Sequence, residues 1–321
     1  MKILFIANNQ TNDFLSDAVY HGLATLSYIE LVDLNPLWYM YNNVSPTDLL
    51  NRFHGRGFTY YTSLPTREID RNNIEYKIKT KYFDKVIYGN IRRCLDLFDL
   101  VQQYYNRESI ILLDGNDEHN QPGIWGEFVE RGVYYRRELS QEEHTHFSSI
   151  KPIHFAFPVN KIPKVPMNKT KLLAHIIPGV PETFVFNDER SYFEDYQQSL
   201  FGYTWRKAGW DCLRHYEIIC NNCIPLFLDI YHCPDTICTT IPKELLKEYY
   251  DISGITDLFD LQKEIQYDDR RCIIINRDLS KINNLELNEN FYKTYFSYLK
   301  KLQGYAYNNL TTTTLARYII Q

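Results

Sequence analysis

The chain opens with apolar runs separated by segments that have helical spacing. Residues 2–7 read KILFIA and are typical of a short buried strand. After a polar segment, residues 13–26 place apolar side chains at helical intervals. Residues 28–34, YIELVDL, are typical of a second strand. A strand, a helix and a strand in this order predict the first unit of a parallel α/β sheet.

The alternation is interrupted and then resumes. Residues 35–80 are rich in Tyr, Asn and Arg, and we expect loops and an irregular insertion there. Residues 85–91 and 109–115 are typical of strands, and residues 92–105 between them have helical spacing. The first part of the chain therefore predicts a doubly wound sheet. Further short strands are predicted at residues 130–139 and 152–159.

A second α/β series follows residues 160–171, which contain lysines and prolines and few apolar side chains. That composition is typical of an interdomain linker. We therefore predict two Rossmann-like domains, residues 1–165 and 166–321, whose last helix could also pack back on the first domain. In the second domain we predict strands at 172–178 and 224–230, helices at 188–200, 209–222, 242–250, 255–265 and 288–303, and either a strand or a helix at 272–278.

Charge and hydropathy exclude some classes of partner. The net charge is −5 and no run of Lys and Arg is present, so we expect no nucleic-acid partner. No apolar run approaches the roughly 18–20 residues that span a bilayer, so we predict no transmembrane segment. The N-terminus lacks the apolar core of a signal peptide, which predicts a cytoplasmic protein. The oligomeric state stays open.

Four of the seven cysteines fall within nineteen positions, at Cys220, Cys223, Cys233 and Cys238. The Cys-x2-Cys spacing raises the possibility of a zinc site. A zinc knuckle needs a tight turn, whereas here the second cysteine leads directly into the strand predicted at 224–230. We therefore favour small buried residues in the passage from a helix to a strand.

The stretch GWDCLRHYE, residues 209–217, combines aromatic and charged residues in an unusual way. At 100° per residue, one helical face is apolar and the opposite face carries Trp210, Arg214, Glu217 and Asn221. This second face is either solvated, with Arg214 and Glu217 as a surface ion pair, or it faces a ligand. A tryptophan gains nothing by facing water, so we favour a ligand. The apolar face consists of Cys212, Leu213, Tyr216, Ile219, Cys220 and Cys223.

The residues before this helix favour an anionic ligand. Gly202 and Gly209 let the backbone approach a ligand closely, and Arg206 and Lys207 add two cations. A helix N-terminus presents free N–H groups and a positive partial charge, so the combination is typical of a diphosphate site. Glu217 could then accept hydrogen bonds from a ribose. We interpret Asp211, near the start of the helix, as a capping residue.

The run SYFEDYQQSLFGYTWRKAGWDCLRHYEIICNNCIPLFLD, residues 191–229, resembles exostosin-like glycosyltransferases and their viral and bacterial relatives. The likeness consists of a helix ending near Ser199, Arg214 three residues before Glu217, and the strand entry NCIP at 222–225. The resemblance implies the GT-B architecture, in which two Rossmann-like domains face a central cleft and the second holds the nucleotide-sugar. The predicted donor-binding residues are Tyr203, Thr204, Arg206, Lys207, Gly209, Trp210, Arg214 and Glu217.

The sequence departs from the family at two positions. Asn222 stands where the family has glycine, although asparagine also tolerates left-handed backbone angles. Gly209 stands where many retaining GT-B enzymes carry a second glutamate. The stereochemistry of transfer, retaining or inverting, therefore stays open.

An inverting transfer needs a base for the acceptor hydroxyl. The segment DGNDEHN, residues 114–120, leaves the carboxyl end of a predicted strand and offers Asp114 and His119. An ordinary turn with solvated charges is the alternative interpretation. Asp13, after the first strand, is a further candidate. No Asp-x-Asp motif is present, so we predict no metal cofactor, with Arg206 and Lys207 stabilising the leaving diphosphate.

These features predict a metal-independent glycosyltransferase that moves a sugar from a nucleotide-sugar donor to a hydroxyl of a glycan, a lipid-linked or a protein-linked acceptor. A second hypothesis is a two-lobed sugar- or nucleotide-binding protein without chemistry. A third, a nucleotide-dependent epimerase or dehydrogenase, is disfavoured because the segment ANNQTND after the first strand lacks the Gly-x-Gly-x-x-Gly turn.

Overall fold

The chain forms two compact units in the structure, which is a computed structural model. The first unit comprises Met1–Asn160 and Thr311–Gln321, and the second comprises Lys161–Leu310. None of the helices in the described residues has the length and apolar content needed to cross a bilayer. The structure describes residues 1–50, 52–118, 125–164, 168–268 and 272–321.

Six parallel strands form the sheet of the first unit, in the order β2-β1-β3-β4-β5-β6. The α/β class and the parallel strands predicted from the sequence are confirmed. The strands read as nearly continuous apolar runs because helices cover parallel sheets on both faces. The strands are β1 Lys2–Ile6, β2 Glu30–Asp33, β3 Lys85–Tyr88, β4 Ile110–Asp114, β5 Val133–Arg136 and β6 Lys151–Pro152.

Chain order reverses at β1, which pairs with β2 on one side and β3 on the other. Ile3, for example, lies opposite Leu31 of β2 and Lys85 of β3. In open α/β sheets this reversal opens a crevice at the carboxyl ends of the two central strands, where ligands usually bind. The topology therefore predicts a ligand-binding site at the segments that follow β1 and β3.

Short helices connect these strands, and the structure begins one of them later than predicted. The helix predicted at 92–105 starts only at Phe98, because Leu97 before it has a left-handed backbone with φ +58°. Residues 35–80 contain only short elements in their described part, as expected. The helices are α1 Phe14–Thr25, α2 Pro46–Leu49, α3 Ile74–Lys79, α4 Phe98–Tyr104, α5 Trp125–Val129 and α6 Gln141–His146, with 3-10 turns at Trp38–Met40, His54–Gly57, Arg107–Ser109 and Val159–Lys161.

Three parallel strands form the sheet of the second unit, in the order β7-β8-β9. Residues 272–278, predicted as a strand or a helix, form neither and contribute one isolated bridge between Tyr267 and Ile274. The strands are β7 Lys171–Leu173, β8 Ser199–Thr204 and β9 Ile224–Phe227. The helices are α7 Glu189–Gln198, α8 Leu213–Cys220, α9 Lys243–Ile252, α10 Ile255–Leu258 and α11 Glu289–Asn309, with 3-10 turns at Pro181–Thr183, Ile230–His232 and Leu279–Asn284.

Tyrosines supply much of the core of the second unit. Tyr295 of α11 packs edge-on against Phe201 of β8 with ring centroids 5.7 Å apart, and its hydroxyl donates to the Leu200 carbonyl at 2.7 Å. The Tyr250 hydroxyl of α9 accepts from the Phe227 amide at 3.0 Å. A tyrosine thus buries its ring while its hydroxyl satisfies a sheet backbone group, which makes the residue useful in this core.

The last helix, α12 Thr312–Ile320, belongs to the first unit and packs against α1. The two helices approach closely at Gly22, where an added Cβ would lie 2.0 Å from the Thr312 carbonyl oxygen. His21 Nδ1 lies 3.0 Å from Thr312 Oγ1 beside this contact. The missing side chain at position 22 therefore sets the distance between the first and last helices of the unit.

We expect Gly22→Ala to lower the free energy of unfolding by at least about 2 kcal/mol, because the methyl group would overlap a backbone carbonyl that cannot rotate away. Gly304 is the matched control, since it lies in α11 with no atom within 4 Å of an added Cβ. Gly304→Ala should stabilise by up to about 1 kcal/mol through helix propensity. Urea unfolding compares the two, and equal midpoints for both variants would contradict the packing described.

Candidate functional site

The polar stretch of the second unit surrounds the start of α8. This helix begins at Leu213, three residues later than Trp210, with Cys212 as an N-cap that makes no side-chain capping bond. Asp211 is therefore not the cap that we predicted. Its carboxylate is buried and accepts a hydrogen bond from the Tyr216 hydroxyl at 2.7 Å. The sequence pattern placed Asp211 at the helix start but could not show this inward partner.

The C-terminus of α8 explains Asn222. Asn222 has φ +58°, and its amide bonds to the Ile219 carbonyl while the Cys223 amide bonds to the Ile218 carbonyl, both at 3.1 Å. This pair of bonds is the Schellman arrangement, which needs a left-handed residue directly after the helix. Asparagine therefore fulfils the backbone requirement that a glycine would meet.

His215 joins the loop at residues 205–212 to the sheet. Its Nε2 donates to the Trp210 carbonyl at 2.9 Å, so Nδ1 accepts from the Thr204 hydroxyl at 2.8 Å. The ring stacks on Phe227, with centroids 4.2 Å apart. Burial lowers the pKa of His215 to about 4, so the imidazole stays neutral and keeps this tautomer. Sequence analysis gave His215 no role.

Within the loop at residues 205–212, the Arg206 guanidinium packs on the Trp210 ring. Arg206 places its guanidinium carbon 5.1 Å from the ring centroid of Trp210, and Trp210 is buried. The Lys207 amide donates to the Gly209 carbonyl at 3.1 Å, which closes a tight turn. The structure therefore brings Arg206, Lys207, Gly209 and Trp210 together at the carboxyl end of β8.

Tyr203 and Thr204 have structural partners. The Tyr203 hydroxyl donates to the Leu279 carbonyl at 2.6 Å, and the Thr204 hydroxyl donates to His215. Both side chains are buried. In this conformation the polar atoms of both predicted donor-binding residues are bonded within the second unit, Tyr203 to Leu279 and Thr204 to His215, and are not presented to a ligand.

Asp229, at the end of β9, was missed by sequence analysis. Its Oδ2 accepts from the Arg206 amide at 2.9 Å and from the Tyr267 hydroxyl at 2.5 Å. Burial raises the pKa of Asp229 to about 6. An acidic residue directly after an apolar strand, as in the sequence FLD at 227–229, was the available signal.

The face of α8 that carries Glu217 and Asn221 packs against α7, so at these two residues it is neither a solvated face with a surface ion pair nor, as we favoured, a face turned to a ligand. Glu217 is 7% exposed and accepts a hydrogen bond from the Tyr192 hydroxyl at 2.6 Å. Asn221 accepts from Gln197 Nε2 at 2.9 Å farther along the same interface. Tyr192 is therefore, after His215 and Asp229, the third residue of the site that sequence analysis did not identify.

Arg214 lies at the open end of this interface. The residue is half-buried, and its guanidinium carbon lies 5.7 Å from the ring centroid of Phe184. Within the described part of the chain, Nε has no hydrogen-bond partner and Arg214 enters no ion pair. A desolvated cation in the first turn of a helix adds to the positive end of the helix dipole. This arrangement can bind an anion.

In the first unit, Asp114 is held by cations. Its Oδ1 accepts from Arg92 Nε at 3.0 Å, and its Oδ2 accepts from Arg136 Nη1 at 2.6 Å and from the Tyr134 hydroxyl at 2.7 Å. Asp114 has no exposed surface. These contacts give Asp114 a structural role and leave it poorly suited to take a proton from an acceptor. His119 lies outside the described residues.

Asp13 occupies the crevice where β1 and β3 diverge. It caps α1 by accepting from the Ser16 amide at 3.1 Å, and its Oδ2 accepts from Asn90 Nδ2 at 2.6 Å. An added Cβ at Gly115 would lie 3.5 Å from Asp13 Oδ1, so the segments after β1, β3 and β4 meet at this carboxylate. The Asp13 side chain keeps 12% of its surface exposed and can reach a ligand.

No protein-family model, curated protein or solved structure matches the chain.

Proposed function

We propose that the protein is an exostosin-like glycosyltransferase of GT-B architecture, which transfers a sugar from a nucleotide-sugar donor to a hydroxyl of a glycan, lipid-linked or protein-linked acceptor. Two units, each built on a parallel sheet, are what this architecture requires. The facing arrangement of the units across a cleft is part of the proposal. The second unit would hold the donor and the first unit the acceptor.

Arg214 is the observation that carries this proposal. In the described residues the Arg214 guanidinium, in the first turn of α8, forms no salt bridge and its Nε has no hydrogen-bond partner, although the Glu217 carboxylate is among the groups that lie near enough to raise its pKa. This leaves donor capacity and part of its positive charge for an anionic ligand. Guanidinium groups bind phosphate oxygens through charge-assisted and often bidentate hydrogen bonds. We therefore assign Arg214 to the donor diphosphate, with Arg206 and Lys207 of the preceding loop as supporting cations. These cations would stabilise the leaving group without a metal ion.

Glu217 lies one turn beyond Arg214 on the same side of α8. Its carboxylate is 7% exposed and accepts from the Tyr192 hydroxyl, so in this conformation it holds α8 against α7. We therefore assign Glu217 to supporting Arg214 and not to the ribose, while His215 holds the loop that packs Arg206 on Trp210.

In an inverting transfer, Asp13 is the candidate base of the first unit. The acceptor oxygen would form a bond to the anomeric carbon while the bond from that carbon to the diphosphate oxygen breaks. The electron pair of the broken bond leaves with the nucleoside diphosphate, and the hydroxyl proton passes to Asp13. Asp13 replaces Asp114 in this role because its carboxylate is partly exposed.

A thermal-shift screen with UDP-, GDP-, dTDP- and CMP-sugars tests donor binding. A specific donor at about 100 times its Kd should stabilise the protein by about 2.7 kcal/mol. Arg214→Met should weaken that donor about 10- to 100-fold, because a charge-assisted hydrogen bond is lost. Arg190→Met is the matched control, since Arg190 is exposed on α7 and pairs with Glu194. Unchanged donor affinity in Arg214→Met would refute the site.

The occupied carboxylate of Asp114 favours one alternative, a sugar- or nucleotide-binding protein without chemistry, because it removes one of the three predicted bases. Hydrolysis and transfer assays with the donor found in the screen separate the two functions. A transferase should release the nucleoside diphosphate slowly in water and faster with an acceptor. Tight binding with no turnover under either condition would establish the alternative.

A further inference from the structure

A second carboxyl group lies directly behind Asp13. Asp17, in the first turn of α1, has no exposed surface. Its Oδ2 accepts from the Asp13 main-chain amide at 3.0 Å and from the Tyr61 hydroxyl at 2.9 Å. Its Oδ1 accepts from the Tyr39 hydroxyl at 3.0 Å. Segments that are distant in sequence therefore converge on one buried acid.

Burying the Asp17 carboxyl group lowers the stability of the folded protein, which a residue with only a structural role would not need to do. Burial, together with the nearby Asp13 carboxylate, raises the pKa of Asp17 to about 8. Asparagine has the same shape and could still accept the bonds to Oδ2 through its carbonyl oxygen, with the Tyr39 hydroxyl turned to accept from its amide nitrogen, and it carries no ionisable group. Groups that oppose stability in this way are typical of functional sites. Asp17 contacts Asp13 directly through the Asp13 main-chain amide, which indicates a role in positioning that candidate base.

We propose that Asp17 is a positioning residue for Asp13, holding the main chain of the candidate base in place while Tyr39 and Tyr61 hold the Asp17 carboxyl group. This inference rests on the proposed function. With its main chain fixed, Asp13 keeps its carboxylate against Asn90 and 3.6 Å from Arg93 Nη1.

The charge state of Asp17 also affects Asp13, the candidate base that it positions. The titratable and charged groups around the pair are Asp13, Tyr39, Tyr61 and Arg93. Below about pH 8 Asp17 is neutral, so it places no negative charge beside Asp13. When Asp17 ionises, two carboxylates face each other with one arginine nearby. Their repulsion displaces Asp13 and slows proton transfer.

A titration tests the pair without any substrate. In protein labelled with 13C at the aspartate carboxyl carbon, NMR should show one resonance that titrates near pH 8. That resonance should be missing from Asp17→Asn. Persistence of the resonance near pH 8 in Asp17→Asn, with a different resonance lost, would overturn the assignment.

The rate profile tests the positioning role. Wild-type kcat should fall above about pH 8, whereas Asp17→Asn should lack this alkaline limb and keep kcat within about threefold at pH 7. Asp17→Ala removes the acceptor for the Asp13 amide, so kcat should fall at least about tenfold with an unchanged donor KM. Asp48→Asn, on the exposed helix α2, is the control and should keep the wild-type profile.

The outcomes separate the two proposals. An active enzyme whose Asp17→Asn and Asp17→Ala variants both keep the wild-type profile refutes the positioning role and leaves the transferase intact. An enzyme that binds and turns over none of the donors refutes the proposed function, and the role of Asp17 falls with it.

Discussion

Replacing Arg136 by methionine should lower the free energy of unfolding by about 3–5 kcal/mol. The Arg136 side chain has no exposed surface, with Nη1 2.6 Å from Asp114 and Nε 3.2 Å from Glu143 Oε2. Its Nη2 also donates to the Glu118 carbonyl at 2.6 Å. Methionine fills a similar volume without charge, so both carboxylates would remain buried with one cation fewer. Urea unfolding at pH 7 measures the loss.

Arg131 provides the matched control for Arg136. It is a partly exposed arginine of the same unit that pairs with the exposed Glu127, so Arg131→Met should change stability by less than about 0.5 kcal/mol. Adding Asp114→Asn to Arg136→Met should recover part of the loss, because the double variant buries one negative charge fewer. A stability of Arg136→Met within about 1 kcal/mol of the wild type would show that the buried network is dispensable.

Asp17→Asn should change the free energy of unfolding in the opposite direction from Arg136→Met. It should stabilise the protein at alkaline pH. In the folded state burial raises the pKa of Asp17 to about 8, whereas the unfolded chain titrates near the ordinary value of 3.8. The folded protein therefore holds one more proton than the unfolded chain between these values. The contribution of Asp17 to stability is fully present below about pH 4 and is lost as the pH rises through 8.

The size of this effect follows from the same shift. Relative to Asp17→Asn, the wild type should lose about 4 kcal/mol of unfolding free energy between pH 5 and pH 8, at 1.36 kcal/mol for each pH unit. Urea unfolding at both values measures the difference, and Asp48→Asn corrects for the general effect of removing a charge. Parallel stability profiles for wild type and Asp17→Asn would mean that Asp17 titrates normally in the folded protein.

Much of the first sheet could be predicted from apolar runs alone. The runs at 2–7, 28–34 and 109–115 contain the strands Lys2–Ile6, Glu30–Asp33 and Ile110–Asp114. A parallel strand is buried on both faces, so its sequence is apolar throughout and its position is easy to find. The predicted bounds were less accurate for elements whose ends depend on side-chain hydrogen bonds. Trp210 has helical spacing but lies outside α8, because its carbonyl is bound by His215.

The candidate site was predictable only in part, for a similar reason. Arg214 and Glu217 were recognised because their spacing on one helix face is a local feature of the sequence. Asp17 was not, since its partners Tyr39 and Tyr61 lie in a stretch where the pattern predicts no regular element. In sequence, Asp17 reads as an ordinary acidic residue near a helix N-terminus. Only the contacts across the fold show that it is buried.

The return of α12 to the first unit has a consequence for how the protein is made. Because Thr312 must meet Gly22 across 290 positions, a nascent chain cannot complete the first unit until residues 311–321 have been synthesised. Residues 161–310 are continuous, so they can fold while α1 still waits for its partner. Synthesis from the N-terminus would therefore allow the second unit to fold before the first, and the face of α1 that packs on α12 stays uncovered until then.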